Sequence, residues 1–133
     1  MNTHDLWEAA ALILGFQTAS FAWRMAEESR VSRSGDVTWL PVADVVNLLS
    51  ITTNALGVFV LPVSGYRLLL PAPKWFGLAI LLFIGHFFAL AGHYELFDIR
   101  HPRSMRFFPV QERVAILSIA AASLLYLLVV CNS

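Results

Sequence analysis

Two histidines seven residues apart, His86 and His93, stand inside a stretch of nearly continuous apolar residues, KWFGLAILLFIGHFFALAGHYELF, covering 74–97. Seven residues are about two helical turns, so in a helix both imidazoles share one face, roughly 10 Å apart along the axis. A histidine at that depth invites three chemistries. It can hold a bundle together as a neutral hydrogen-bonding ring, here with Gln17, Asn54 or Ser123. It can relay protons, because its ordinary pKa lies near 6.5. It can also ligate a haem or a metal. The last is the weakest, since one helix cannot place two ligands seven residues apart on one iron, and His4 and His101 lie outside the apolar stretches. No cofactor and no metal site are expected.

Other polar residues recur with similar regularity. Asp44, Asn47 and Asn54 fall on one stripe at three- and four-residue steps through Ile51, and Gln17, Ser20 and Arg24 do the same further upstream. Arg24 and Asp44 flank the first polar connector at similar depth, which predicts an ion pair between neighbouring helices. An unpaired charge there would be heavily penalised. Asn47 and Asn54 read first as interhelical hydrogen-bonding residues and second as the lining of a polar path. The intramembrane polar core is therefore expected to comprise Gln17, Asp44, Asn47, Asn54, His86 and His93.

The elements that must position these residues are long apolar segments. The chain has 133 residues, of which 58% are hydrophobic and 14% charged, and its mean hydropathy is +0.68. A water-soluble chain this short could not bury so much apolar surface. Four spans of roughly 20 residues follow, at 6–26, 39–61, 74–97 and 110–130, in a single membrane domain covering 1–133. Thr3 is a helix cap with Asp5 in the first turn, Pro41 opens span two, Pro62 closes it, and Pro109 opens span four. The absence of Lys or Arg before Arg24 argues against a cleaved leader. Connectors are short: 27–38 with a turn at Ser34-Gly35-Asp36, 62–73, and the basic 98–108. Gly85, Ala89 and Gly92 form a small-residue face on span three, and Ala115, Ser118, Ala122 and Ser123 recur on span four, both suited to close helix approach.

Orientation follows from Lys and Arg. Arg24, Arg30, Arg33, Arg100, Arg103, Arg106 and Arg113 gather on one side, and Arg67 and Lys74 on the other. The first group belongs in the cytoplasm, which leaves both termini outside (N-out/C-out) and the plasma (inner) membrane as the expected location. Trp7, Tyr66 and Trp75 would mark the outer interface, and Trp23, Trp39 and Tyr94 the inner one. The single cysteine, Cys131, excludes an internal disulfide framework and reads as a small apolar filler. Zero formal net charge gives no general attraction to nucleic acid.

No phosphate-cradling glycine loop, zinc-type Cys/His spacing or nucleophile elbow is present, and no catalytic constellation argues for an enzyme. The expectation is an all-α integral membrane protein, a four-transmembrane-helix bundle that self-associates in the lipid bilayer. Its leading function is a homo-oligomeric ion or small-solute pathway or pore, several copies surrounding a shared axis, gated from the cytoplasmic side. The alternative is a non-enzymatic anchor or sensor subunit, with Arg100, Arg103 and Arg106 docking a soluble cytoplasmic partner or anionic lipid. A haem-bearing subunit comes third.

Overall fold

The computed structural model describes residues 2–33, 40–66, 69–97 and 108–132. They form four helices: α1 (Thr3–Arg33), α2 (Val42–Val63), α3 (Ala72–His93) and α4 (Val110–Cys131). No strand occurs among the described residues. Helices α2, α3 and α4 are each 22 residues long and apolar enough to cross a membrane. Helix α1 has 31 residues, about 46 Å of rise; it is not among those three, because Glu8, Gln17 and Arg24 interrupt its apolar run.

Helix α1 begins with Asn2, not Thr3, as its cap: Asn2 Oδ1 accepts the Asp5 backbone N–H at 2.8 Å. It also runs seven residues beyond the predicted end of span one, through Glu27 to Arg33. Local pairs carry that extension. Arg24 bonds Glu28 four residues on, Glu27 bonds Arg30 three residues on, and Arg30 and Arg33 suit the negative helix end. The Arg30 guanidinium bonded to Glu27 holds that carboxyl below its ordinary range.

Helix α2 is not uniform. An α-helical part, Val42–Asn54, passes into a π-helical segment, Ala55–Val60, and a last α turn, Leu61–Val63. Pro62 lies inside this last turn rather than ending the helix. Its ring would collide with the carbonyl four residues back in α geometry, and the wider π turns relieve that collision. Gly57, within the π segment, lies against Trp75 of α3 so closely that a Cβ there would overlap the indole. Gly65, two residues past the end of the helix, takes φ of 74°. Tyr66 N–H bonds Leu61 O at 3.1 Å and Gly65 N–H bonds Pro62 O at 3.2 Å, a paired left-handed termination. Helix α3 ends by the same device, four residues before the predicted end of span three. Leu96 N–H bonds Ala91 O, Glu95 N–H bonds Gly92 O, and Glu95 takes φ of 52° without being glycine.

Helix α3 is the centre of the bundle, packed on α2 along one side and on α4 along the other, while α1 packs mainly on α2. At Gly92 the α3 and α4 backbones themselves meet: a Cβ there would stand 2.8 Å from the Gln111 and Glu112 backbone. Ala115 packs against the cluster of Ala43, Val46, Ala89 and Ile119, whereas Ser118 and Ala122 are exposed. Two apolar clusters bracket the interior. Leu6, Ala10, Val58 and Phe76 close one end, and Ala43, Val46, Ala89 and Ile119 lie toward the other.

Between and beyond these clusters the distribution is inverted relative to a water-soluble bundle. The largest fully buried side chains are Arg24, His86, Gln17 and Glu112, while Leu12, Phe16, Leu117 and Leu125 are exposed.

Candidate functional site: a polar interior shared by four helices

The polar residues lie in two connected layers. The first is a hydrogen-bonded crossing of α1, α2 and α3. Gln17 Nε2 donates to Ser50 Oγ at 2.5 Å, and Ser50 in turn donates to the Ala79 carbonyl at 2.6 Å. Asn54 Nδ2 donates to Gln17 Oε1 at 3.2 Å and to the Ala10 carbonyl at 3.0 Å, and Asn47 Nδ2 donates to the Gln17 carbonyl at 3.2 Å. Each helix supplies one side of the arrangement because these residues recur at helical spacing on α2. Ser50 sits three after Asn47 and four before Asn54. All four side chains are buried.

The second layer is charged. Arg24 is 2% exposed and reaches three helices: its Nε lies 3.4 Å from Asp44 Oδ2, one terminal nitrogen donates to the Tyr94 hydroxyl at 2.6 Å, and the other to Glu28 at 2.8 Å. Its guanidinium carbon also stands 5.5 Å from the Tyr94 ring centre. The contact with Asp44 is long for a charge-assisted hydrogen bond, so Tyr94 and Glu28 hold the guanidinium more tightly than Asp44 does.

Glu112 completes the layer from α4. One oxygen accepts the Ala43 N–H at 2.9 Å, which satisfies an otherwise open donor in the first turn of α2, and the other accepts His93 Nδ1–H at 2.8 Å.

His86 joins neither Gln17, Asn54 nor Ser123. Its Nδ1 stands 2.8 Å from the Ala43 carbonyl. A carbonyl only accepts, so Nδ1 carries the proton and the neutral ring presents a lone pair at Nε2. The reason for this partner is register: the start of α2 lies beside the middle of α3, where a main-chain oxygen is nearer than any polar side chain. Ala43 thus binds Glu112 through its N–H and His86 through its C=O.

Several buried atoms have no protein partner: Asp44 Oδ1, Asn47 Oδ1, Asn54 Oδ1, His86 Nε2, Ser123 Oγ and Trp75 Nε1. The first four share one chemistry, that of a hydrogen-bond acceptor, and all four lie on the inward stripes of α2 and α3.

The structure thus brings together Gln17, Asn47 and Asn54 in one layer and Arg24 and Asp44 in the other. His93 is tied to the charged layer through Glu112, and His86 sits at the start of α2. Ser50, Glu28, Tyr94 and Glu112 are participants the sequence reading did not assign to the site. Ser50 was recoverable from its place on the Asn47–Asn54 stripe. Tyr94, expected as an interfacial aromatic, serves the guanidinium instead. The predicted docking residues Arg100, Arg103 and Arg106, together with His101, Arg67, Trp39 and the turn at 34–36, lie outside the described residues. No group of three His, Cys, Asp or Glu side chains able to hold a metal ion occurs among the described residues.

No protein-family model matches this chain, and no curated protein or solved structure matches it at a significant level.

Proposed function

We propose that the chain is one integral membrane domain of four spans, N-out/C-out in the plasma membrane, and that the interior of each protomer carries an ion or small-solute pathway. The observation that carries this reading is the line of partnerless acceptors Asp44 Oδ1, Asn47 Oδ1, His86 Nε2 and Asn54 Oδ1. From Asp44 to Asn54 it extends about 15 Å along α2, half of a bilayer's hydrocarbon thickness. Acceptors without donors suit a species that brings protons or positive charge, and polar groups at such depth are expensive unless used.

The inverted burial supports the bilayer as solvent, with apolar side chains outward and polar ones inward. The α1 span rests on its length and on Gln17 and Arg24 being turned into the bundle. Because the polar stripes face the interior of one chain, the pathway runs through the protomer. Self-association uses the apolar outer surface of α4. The Arg24, Asp44, Tyr94 and Glu28 cluster stands at the cytoplasmic end, in the place of a gate.

Reconstitution into liposomes tests the reading. Wild-type protein is expected to pass protons or monovalent cations, and Asn47→Leu with Asn54→Leu to abolish the flux while leaving the helical content unchanged. A well-folded wild type that passes neither, across a range of pH and membrane potential, overturns it.

A further inference from the structure

We propose that His86 and Asp44 form a proton-binding pair inside the bundle, with one proton taken up at His86 Nε2 and stabilised by the Asp44 carboxylate. This deepens the pathway reading and rests on the same acceptor line, now naming what occupies it.

The geometry constrains the ligand in three ways. First, the chemistry is one-sided. Nδ1 of His86 is committed to the Ala43 carbonyl, so Nε2 is a lone pair, and Asp44 Oδ1 and Asn47 Oδ1 are acceptors as well. An anion or a neutral acceptor would meet only like partners there. Second, these atoms are closed to water: His86, Asp44 and Asn47 are fully buried. At a position so enclosed, a proton is the positive species that a nitrogen lone pair can take up without displacing a side chain. Third, the charges around the ring do not balance. Arg24 of α1 faces Asp44 of α2 and Glu28 of α1, and Glu112 of α4 accepts the Ala43 N–H beside Asp44. One guanidinium therefore stands among three carboxylates. His93, on the same helix as His86, is bonded to Glu112, and the Tyr94 hydroxyl accepts from Arg24. Carboxylates thus outnumber the one guanidinium, and a buried acceptor beside them is suited to a proton.

The step balances simply. A hydronium at the end of the bundle gives up a proton and becomes water, and the proton joins the Nε2 lone pair, leaving an imidazolium with Nδ1–H still on the Ala43 carbonyl and its charge in the field of the Asp44 carboxylate. Release to water on the other side reverses it. Asp44 thereby exchanges sole attachment to Arg24, at 3.4 Å, for a share in two cations.

The experiment is an equilibrium titration of the full chain in nanodiscs, with histidine ring nitrogens labelled with 15N. His86→Gln assigns the signal; if that variant does not fold, substitution of His4, His93 and His101 assigns it by elimination. The His86 ring is expected to be the neutral Nδ1–H form near pH 8 and to become imidazolium by about pH 5. Asp44→Asn is expected to reduce the protonated fraction at a given pH by about tenfold or more. A His86 ring that stays neutral throughout, or that titrates identically in Asp44→Asn, overturns the proposal. No gradient is involved, so the result is separable from transport. Titration without vesicle flux leaves the proton site standing and removes the pathway. Flux with a silent His86 keeps the pathway and removes the site.

Discussion

Replacing Arg24 and replacing Asp44 should have unequal consequences, although the two are an ion pair. At 3.4 Å and an effective dielectric of 20 their attraction is at most about 5 kcal/mol, and desolvation of both groups offsets most of it. The decisive terms are the other contacts. Arg24→Met removes bonds to Asp44, Glu28 and Tyr94 together and leaves Asp44 as a buried charge with neither oxygen satisfied. That costs about 3–5 kcal/mol. Asp44→Asn keeps the shape, removes the longest of the three contacts and leaves the guanidinium on Glu28 and Tyr94, at a cost of about 1–2 kcal/mol. The double variant removes the stranded carboxylate, so it should be more stable than the sum of the singles predicts, by about 1–3 kcal/mol. Unfolding by SDS in mixed micelles, followed by helical circular dichroism and tryptophan fluorescence, measures all four corners of the cycle. Equal single-variant costs with no coupling would refute the view that Arg24 is the common anchor of three helices.

Other outcomes follow from the packing. Gly92→Ala should push α4 from α3, costing about 1–3 kcal/mol and breaking the His93–Glu112 bond, which the ring nitrogen spectrum of His93 reports. Glu95→Gly should stabilise the fold by up to about 1 kcal/mol in the same micelle assay, because glycine accepts the left-handed end of α3 without the penalty glutamate bears. Gln17→Leu should cost about 1 kcal/mol, since Ser50 keeps the Ala79 carbonyl and Asn54 keeps Ala10. A loss several times larger would mean that the layer acts as one cooperative unit.

Helix number and the inward stripes were legible because apolar length and helical period leave few alternatives. So was the proximity of Arg24 to Asp44, since two opposite charges at one depth beside a short connector have little else to meet. Three things were not legible. The ends of α1 and α3 depend on side-chain pairs and a left-handed residue, and hydropathy does not register either. The π segment combines Pro62 in the last turn with Gly57 lying against Trp75 of α3, and the second is a tertiary coincidence between distant residues. The partner of His86 is a backbone carbonyl, and every residue has one, so no residue type could announce it.

That last point bears on how positions 86 and 112 constrain one another. Both side chains bind the same alanine, Glu112 at its N–H and His86 at its C=O. Exchange of either can therefore be felt by the other with no contact between them, and correlated changes among related sequences would suggest a pairing that does not exist in space. Scanning mutagenesis is also blind to the link, because no side chain at 43 makes it. Ala43→Pro is the substitution that reaches it. Proline is tolerated in a first helical turn, so it deletes the N–H offered to Glu112 while leaving the carbonyl for His86. The two halves of a main-chain connection can thus be separated by a single codon.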